Sequence, residues 1–348
     1  MHIHEKYIFR CLQLAQLGKG FVSPNPMVGA VLVYNNEIIG EGYHQQFGDA
    51  HAEVNCINSV AFSKQHLIKE STLYVSLEPC NHFGKTPPCS HLIVKHNIKK
   101  VVIGCSDNYS KVNGQGIAYL QQHGVEVISN ILAQECKTIN RFFFYANANQ
   151  KPYIILKFAQ TANGFIGNVS SERLIISNAI SNFQVDKWRQ ETDAILIGKN
   201  TAVKDNPNLI TRHHIKRKQI RMFVDDKLEV IATANLYNGK ATTIVFNTIK
   251  SCIQDNIHFI QYNPGNLYNI LIETCNTLGI QSILIEGGSI LLQYFIDNNW
   301  YNECYVITNN KLVVKAGIKS PILKNNQLTK QIQLQNDTIS FYTNASNP

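Results

Sequence analysis

Apolar and polar positions along the chain alternate between a helical and a strand-like period. Lys6 to Leu17 has helical spacing, Val28 to Tyr34 is a strand, His51 to Ala61 is helical again, and Thr72 to Leu77 is a second strand. A helix near Ser90 to His96, a strand from Lys100 to Gly104, a helix from Ile117 to His123 and a strand from Val125 to Ser129 continue the series, with Gly104 and Gly124 where turns are wanted. Thr138 to Tyr153 contains three successive phenylalanines and then Ala-Asn-Ala-Asn-Gln-Lys-Pro, which predicts a helix end and a polar connection into a strand from Tyr153 to Ala159. The alternation resumes with a helix over about Asn178 to Arg189, strands at Ala194 to Ile197, Arg221 to Val224 and Thr242 to Phe246, and a helix from Asn266 to Leu278. A strand at Ser282 to Glu286, a helix from Ser289 to Asp297 and a strand at Glu303 to Ile307 close it. Strand and helix in turn imply α/β layers in two domains, 1–150 and 151–348, meeting near Gln150. No repeat relates the halves, so they are expected to do different work.

Composition narrows the class. A chain of 348 residues exceeds one ordinary domain, and 44% hydrophobic with 16% charged residues excludes a disordered tail or a coiled coil. No apolar run approaches the roughly 20 residues that span a bilayer. The start, Met1-His2-Ile3-His4-Glu5-Lys6, lacks the apolar core of a secretory signal, so a cytoplasmic protein without a membrane partner is expected. The net charge of +8 suits an anionic ligand but selects none. Nine cysteines, scattered from Cys11 to Cys304, argue for reduced and mostly buried thiols, so any pair that matters should show a metal spacing.

One set does. His51-Ala52-Glu53 is followed by Glu78-Pro79-Cys80 and, after eight further residues, by Cys89. Imidazole and two thiolates suit zinc, and three protein ligands leave a fourth position for water, whose pKa the metal lowers toward about 7. Glu53, beside His51 at a helix start, is placed to move protons without being a ligand, the pattern of zinc deaminases. The competing arrangement is a closed structural zinc with His82 or His91 as fourth ligand.

The loop Pro79-Cys80-Asn81-His82-Phe83-Gly84-Lys85-Thr86-Pro87-Pro88-Cys89, with Ser23-Pro24-Asn25-Pro26-Met27-Val28-Gly29-Ala30 and Gly42-Tyr43-His44 upstream, resembles the bifunctional riboflavin-biosynthesis deaminase/reductases of the RibD type. The resemblance implies a cytidine-deaminase-like three-layer α/β domain. It also implies that Asn25, His44, His82 and Lys85 face an aminopyrimidine carrying a ribose 5-phosphate. An amide and an imidazole can read a pyrimidine edge, and a lysine can neutralise phosphate. Ser106-Asp107-Asn108-Tyr109-Ser110 keeps that family's aspartate and loses its prolines. Asn113-Gly114-Gln115-Gly116-Ile117 offers a glycine pattern that a turn and helix entry explain as well as a phosphate site does.

The second half has no complete G-x-G-x-x-G after a strand. It has Leu156-Lys157-Phe158-Ala159, Ile195-Leu196-Ile197-Gly198-Lys199-Asn200-Thr201, Asp205-Asn206-Pro207-Asn208-Leu209-Ile210-Thr211-Arg212 and Leu284-Ile285-Glu286-Gly287-Gly288-Ser289. Each follows or ends an expected strand, and ligands bind at the carboxyl ends of strands in open α/β sheets. This order is similar to the reductase half of the same family, which implies a dihydrofolate-reductase-like α/β domain using NADPH. On that resemblance Lys157, Arg189, Leu209, Arg212 and Glu286 line the substrate side, with Arg189 and Arg212 gripping phosphate. Ala159, Thr201, Asp205, Gly287 and Gly288 line the nicotinamide side. Asn163-Gly164-Phe165 replaces the family's Asp-Gly-Lys turn, and Arg173 and Ile175 replace a serine and a tryptophan.

The resemblance therefore implies two successive steps. The first deaminates 2,5-diamino-6-ribosylamino-4(3H)-pyrimidinone 5′-phosphate with zinc and Glu53. The second reduces the ribosyl group with NADPH beside Lys157, in a homo-oligomer acting on a small molecule and not on nucleic acid. Three alternatives stay open on sequence: a deaminase whose second half is a scaffold, a nucleic-acid base deaminase, and a zinc-stabilised binding module.

Overall fold

Side chains that alternate along the first-half strands give their sheet two apolar faces. The computed structural model divides the chain into Met1–Gln150 and Lys151–Pro348, and it describes residues 2–83, 87–106, 114–168, 174–211 and 219–347. The first unit runs α1 (Ile3–Gln16), β1 (Gly29–Tyr34), β2 (Glu37–Tyr43), α2 (Ala52–Asn58), β3 (Thr72–Leu77), α3 (Cys89–Lys95), β4 (Lys100–Cys105), α4 (Gln115–Gln122), β5 (Glu126–Ile128), α5 (Ala133–Ile139) and α6 (Arg141–Asn149). The sheet order is β2-β1-β3-β4-β5, with β2-β1-β3 antiparallel and β3-β4-β5 parallel. On one face Leu32, Leu73, Val75, Val101 and Ile103 pack against Ala52, Cys56, Ile93 and Leu120 of α2, α3 and α4. On the other, Val31, Tyr74 and Val102 meet Ile8, Cys11 and Cys136 of α1 and α5. The result is three layers.

β2 and α6 are among the elements that depart from the sequence expectation. Asn35 and Asn36, at φ 48° and 66°, turn the chain back into β2, a strand whose two glycines and two glutamates hide its alternation. Ala-Asn-Ala-Asn belongs to α6, not to a polar connection, because Gln150 ends that helix in the left-handed region at φ 53°.

The second unit contains β6 (Tyr153–Thr161), β7 (Phe165–Asn168), α7 (Ala179–Glu191), β8 (Ala194–Gly198), α8 (Lys199–Asp205), β9 (Ile220–Val224), β10 (Thr243–Asn247), β11 (Cys252–Gln254) and β12 (Ile257–Gln261). It continues with α9 (Leu267–Leu278), β13 (Ser282–Glu286), α10 (Ser289–Asp297), β14 (Glu303–Asn309), β15 (Gly317–Lys319), β16 (Asn326–Leu334) and β17 (Asp337–Asn344). Its main sheet has the order β11-β12-β10-β9-β8-β13-β6-β14-β17-β16, parallel from β12 to β14. Leu156, Leu196, Met222 and Ile285 face α9 and α10, while Ile195, Ile197, Phe223 and Val245 form a smaller cluster on the opposite face with Ala202 and Leu209. A fully buried side chain of this kind contributes about 1.5–3 kcal/mol.

The chain leaves β8 toward β9 but leaves β13 toward β14, so the connections part above the adjacent pair β8 and β13. Such a switch point opens a crevice at the carboxyl ends of the strands. The antiparallel pair β16 and β17 escaped the sequence reading because β16, Asn-Gln-Leu-Thr-Lys-Gln-Ile-Gln-Leu, is a mostly exposed edge strand with little apolar alternation. No helix among the described residues is long and apolar enough to cross a membrane.

Candidate functional site

In the first unit the deaminase residues converge from three elements. His51 is the residue before α2, with extended backbone at φ −71° and ψ 166°, Cys80 follows β3, and Cys89 opens α3. His51 Nδ1 lies 3.5 Å from Cys80 Sγ and 3.4 Å from Cys89 Sγ, and the three ligand atoms are all within 4.8 Å of one another. The backbone N–H of Cys89 also donates to Cys80 Sγ at 3.4 Å, which favours a thiolate there. Hydrogen bonds from Cys89 and His51 pull the Cys80 thiol down to about 4, and the hydrogen bond with Cys80 raises His51 to about 9. One imidazole and two sulfurs in this spacing fit zinc, and a cation arriving there displaces their remaining protons.

No fourth ligand joins the group among the described residues: His82 is exposed, and the His91 ring stacks on Tyr119 with centroids 4.3 Å apart. That geometry is the open arrangement rather than the closed structural one. Glu53 sits in the first turn of α2 and is 3% exposed, and burial raises its carboxyl, so it holds a proton more readily than an ordinary glutamate.

Asn25 and His44 are a coupled pair. The carbonyl of Ala50 can only accept, so the neighbouring His44 Nδ1, 3.1 Å away, carries the proton. Nε2 then accepts from the Asn25 amide at 3.1 Å. Burial lowers the His44 pKa and keeps the ring neutral, and this ring meets His51 edge-on at 5.5 Å. Lys85 and Asp107 lie outside the described residues.

Glu78 is a site residue the sequence reading passed over. It is buried, and its Oε1 accepts the N–H groups of Gly116 and Ile117 at 3.0 and 3.2 Å, at the start of α4. A Cβ on Gly116 would stand 2.1 Å from the carbonyl oxygen of Pro79, the residue before the ligand Cys80. Gly116 therefore serves close packing, Gly114 supplies a left-handed turn at φ 81°, and the Gly116 and Ile117 amides are taken by a carboxylate rather than a phosphate. The readable signal was an acidic residue directly before Pro-Cys.

In the second unit, strand register brings the ion cluster together. Lys157 of β6 pairs with Glu286 of β13 on one side and with Tyr305 of β14 on the other, so all three share the sheet face opposite α9 and α10. Lys157 Nζ is 3.6 Å from Glu286 Oε2. Arg189, in the last turn of α7, donates to the same carboxylate through Nε at 2.5 Å and a terminal nitrogen at 2.8 Å. Burial pushes Glu286 up, but the charges of Arg189 and Lys157 and their hydrogen bonds outweigh it and hold the carboxyl at about 2. Nε and one terminal nitrogen of Arg189 are thus directed at Glu286.

Thr201 of α8 and Gly287 meet across the crevice between β8 and β13. Gly287 has φ 85°, and a Cβ there would come within 2.8 Å of Thr201 Cγ2 and Oγ1. Gly288, at φ 66°, opens α10, so a bare backbone faces the crevice where a cofactor phosphate needs close approach, and these residues fit a dinucleotide. Ala159 lies two residues beyond Lys157 on the same face of β6, and Asp205 ends α8. Leu209 departs from a simple lining role: its side chain is 3% exposed and packs among Ile195, Ile197 and Phe223, so only its backbone is free to meet a ligand. Arg212 and Arg173 fall outside the described residues, and Ile175 is exposed. Asn163 donates to the carbonyl of Val314 at 2.7 Å and accepts the Val314 N–H at 3.3 Å, a pairing that aspartate could not make in full.

Comparison with known proteins agrees with this division. Residues 1–105 match the cytidine and deoxycytidylate deaminase zinc-binding region, and residues 152–339 match the RibD C-terminal domain. The riboflavin biosynthesis protein RibD of Actinobacillus pleuropneumoniae is 34% identical over 91% of this chain and 86% of its own length. That of Aquifex aeolicus is 34% identical over 89% and 88%. A diaminohydroxyphosphoribosylaminopyrimidine deaminase/5-amino-6-(5-phosphoribosylamino)uracil reductase from Thermotoga maritima superposes with a TM-score of 0.90 at 30% identity over 99% of both chains. A chain that keeps both regions in this order, and aligns with such proteins along nearly its whole length, belongs to the RibD family of bifunctional riboflavin-biosynthesis deaminase/reductases.

Proposed function

We propose that this chain deaminates 2,5-diamino-6-ribosylamino-4(3H)-pyrimidinone 5′-phosphate in its first half and reduces the ribosyl group of the product in its second. The observation that carries the reading is His51 Nδ1 within 3.5 Å of both Cys80 and Cys89, with the buried carboxyl of Glu53 two residues away. Zinc, when bound by these three residues, supplies a Lewis acid that makes water a nucleophile near neutral pH. Glu53 takes a proton from the attacking water and delivers one to the departing amine, so the ring carbon exchanges its amino group for oxygen and ammonia leaves. Asn25, held by the neutral His44, presents an amide to the pyrimidine edge, and on the family resemblance His82 and Lys85 face the substrate.

NADPH, when bound along Ala159, Thr201, Asp205, Gly287 and Gly288, supplies a hydride to C1′, whose bond to the ribose ring oxygen opens as that oxygen takes up a proton. Lys157 offers a fixed ammonium beside the carbon that receives it, and Glu286 with Arg189 holds that ammonium in place. Leu209, through its backbone, and Arg212 complete the substrate side. A homo-oligomer is part of the same proposal, and sedimentation of the zinc-loaded protein reads it. The test is a single reaction mixture of full-length protein, zinc, the diaminopyrimidine ribosyl phosphate and NADPH, followed for ammonia and for NADPH oxidation. Both signals, with ammonia first, are expected. Ammonia alone would reduce the second half to a scaffold, and absence of both would overturn the substrate.

A further inference from the structure

The second half buries an arginine that neither reaction step uses. Arg221 is the second residue of β9 and is 0% exposed, yet every acceptor around it is neutral. Its Nε donates to Thr243 Oγ1 at 3.1 Å and Nη2 to the carbonyl of Ala241 at 3.0 Å. Nη1 donates to the carbonyls of Asn208 and Asn235 at 3.3 and 3.1 Å and to Asn238 Oδ1 at 3.1 Å. No carboxylate among the described residues pairs with it, and burial alone pulls its pKa down to about 10. A buried cation with no counter-ion survives only where hydrogen bonds fill its fork, and groups that fill it are held in fixed positions.

The groups so held converge on one turn. Asn206 and Leu209 both adopt the left-handed region, at φ 40° and 49°, which a leucine keeps only when its surroundings impose it. Asn235 grips Asn206 twice, N–H to Oδ1 and Nδ2 to the carbonyl, both at 2.7 Å. Asn238 Nδ2 grips Asn208 Oδ1 at 2.9 Å while its own Oδ1 accepts from Arg221. The turn is thus fixed at Asn206 and Asn208 by a network whose hub is the guanidinium, and Leu209 is pinned by its packing.

We infer that Arg221 is a positioning residue of the reductase half, holding the Asn206–Leu209 turn so that Asp205 on one side and the Leu209 backbone on the other meet the ligands. The inference rests on the reductase reading given above. Because the Leu209 side chain is committed to the core, the ligand-facing part of the turn is backbone, and backbone placement is what a lost hydrogen bond at Asn208 would shift. A lysine at 221 keeps the charge but cannot reach these acceptors as a planar fork.

The experiment uses full-length, zinc-loaded protein with NADPH and the deaminated ribosylaminouracil phosphate, comparing wild type, Arg221→Lys and Asn238→Ala. Asn238 is exposed, so its variant serves even where the buried one fails to fold. The KM for the pyrimidine is expected to rise about tenfold in Arg221→Lys and about threefold in Asn238→Ala, with kcat within about twofold. Ammonia release from the diaminopyrimidine stays at the wild-type rate in both, and amide exchange over residues 205–211 speeds up while that of β8 does not. A purely structural arginine would instead lower the active fraction, and hence kcat, at unchanged KM; that outcome overturns the inference. Wild-type protein that oxidises no NADPH would remove the reductase reading, and the inference with it, whereas wild-type oxidation with unshifted KM in Asn238→Ala removes the inference alone.

Discussion

The two halves build their sites by opposite means. In the first, side chains from α2, α3 and the loop after β3 converge on a point, and the chemistry lies in the donor atoms themselves: one imidazole, two sulfurs and a buried carboxyl. In the second, strand register aligns Lys157 with Glu286, α7 adds Arg189, and much of what faces the crevice is backbone at Gly287, Gly288 and Leu209. A donor set tolerates little substitution, because only a few residue types ligate zinc. A backbone surface tolerates a great deal, provided the turns that shape it keep their geometry. The difference accounts for an unbroken zinc motif in the first half, where only the Asp107 loop departs from the family pattern, beside the departures at Asn163 and Ile175 in the second.

The sharpest way to break the contrast is to disable one half and watch the other. Glu53→Gln is expected to lower ammonia release by about 10³-fold, within the range for losing a general acid–base group, and to leave NADPH oxidation on the deaminated substrate unchanged. Stripping zinc with a chelator should give the same one-sided loss. If either treatment also silenced reduction, the halves would not be separable in function. The reciprocal change, Lys157→Ala, is expected to cost about 10²-fold in NADPH oxidation at full ammonia release. An equal loss in both activities would point to misfolding rather than to the ammonium.

Acid should distinguish the halves through Glu286. Its folded pKa lies near 2, below the ordinary 4.5, so the stability it contributes is complete above about pH 4.5 and is lost as pH falls toward 2; the difference amounts to about 3 kcal/mol. Both tryptophans, Trp188 and Trp300, belong to the second half, so urea melts followed by their fluorescence report that half selectively. The wild type is expected to lose stability across this window, and Glu286→Gln, less stable at pH 7, should lose correspondingly less. Parallel curves for the two proteins would discard the ion cluster as the source. The smallest effect is expected from Gly287→Ala, where the new Cβ presses on Thr201 and the left-handed backbone is strained: the KM for NADPH should rise about tenfold with ammonia release untouched.

What could be read beforehand follows the same divide. The first-half layers and the cluster of His51, Cys80 and Cys89 were legible because apolar periodicity and ligand spacing are local properties of the sequence. Strand β2 was not, since Gly40 and Gly42 interrupt its pattern, nor was β16, whose edge position asks for no apolar face. The Arg189–Glu286 pair is a second kind of miss. An arginine's chemistry suits a phosphate or a carboxylate equally, and only the fold sets this one beside Glu286. Arg221 is a third: one arginine within an otherwise apolar strand gives no sign of the five hydrogen bonds waiting around it.

The sequence by itself therefore determined the α/β layering of both units and the residues that cluster as candidate metal donors with a glutamate beside them, because these depend on side-chain type and short spacing. The tertiary structure alone decided which charges pair, which amides are already occupied and which turns are held in strained conformations. Those outcomes depend on groups far apart in the chain, such as Lys157 with Glu286, Glu78 with Gly116, or Arg221 with Asn208. Their energies exist only once burial removes the water that would otherwise satisfy each group alone.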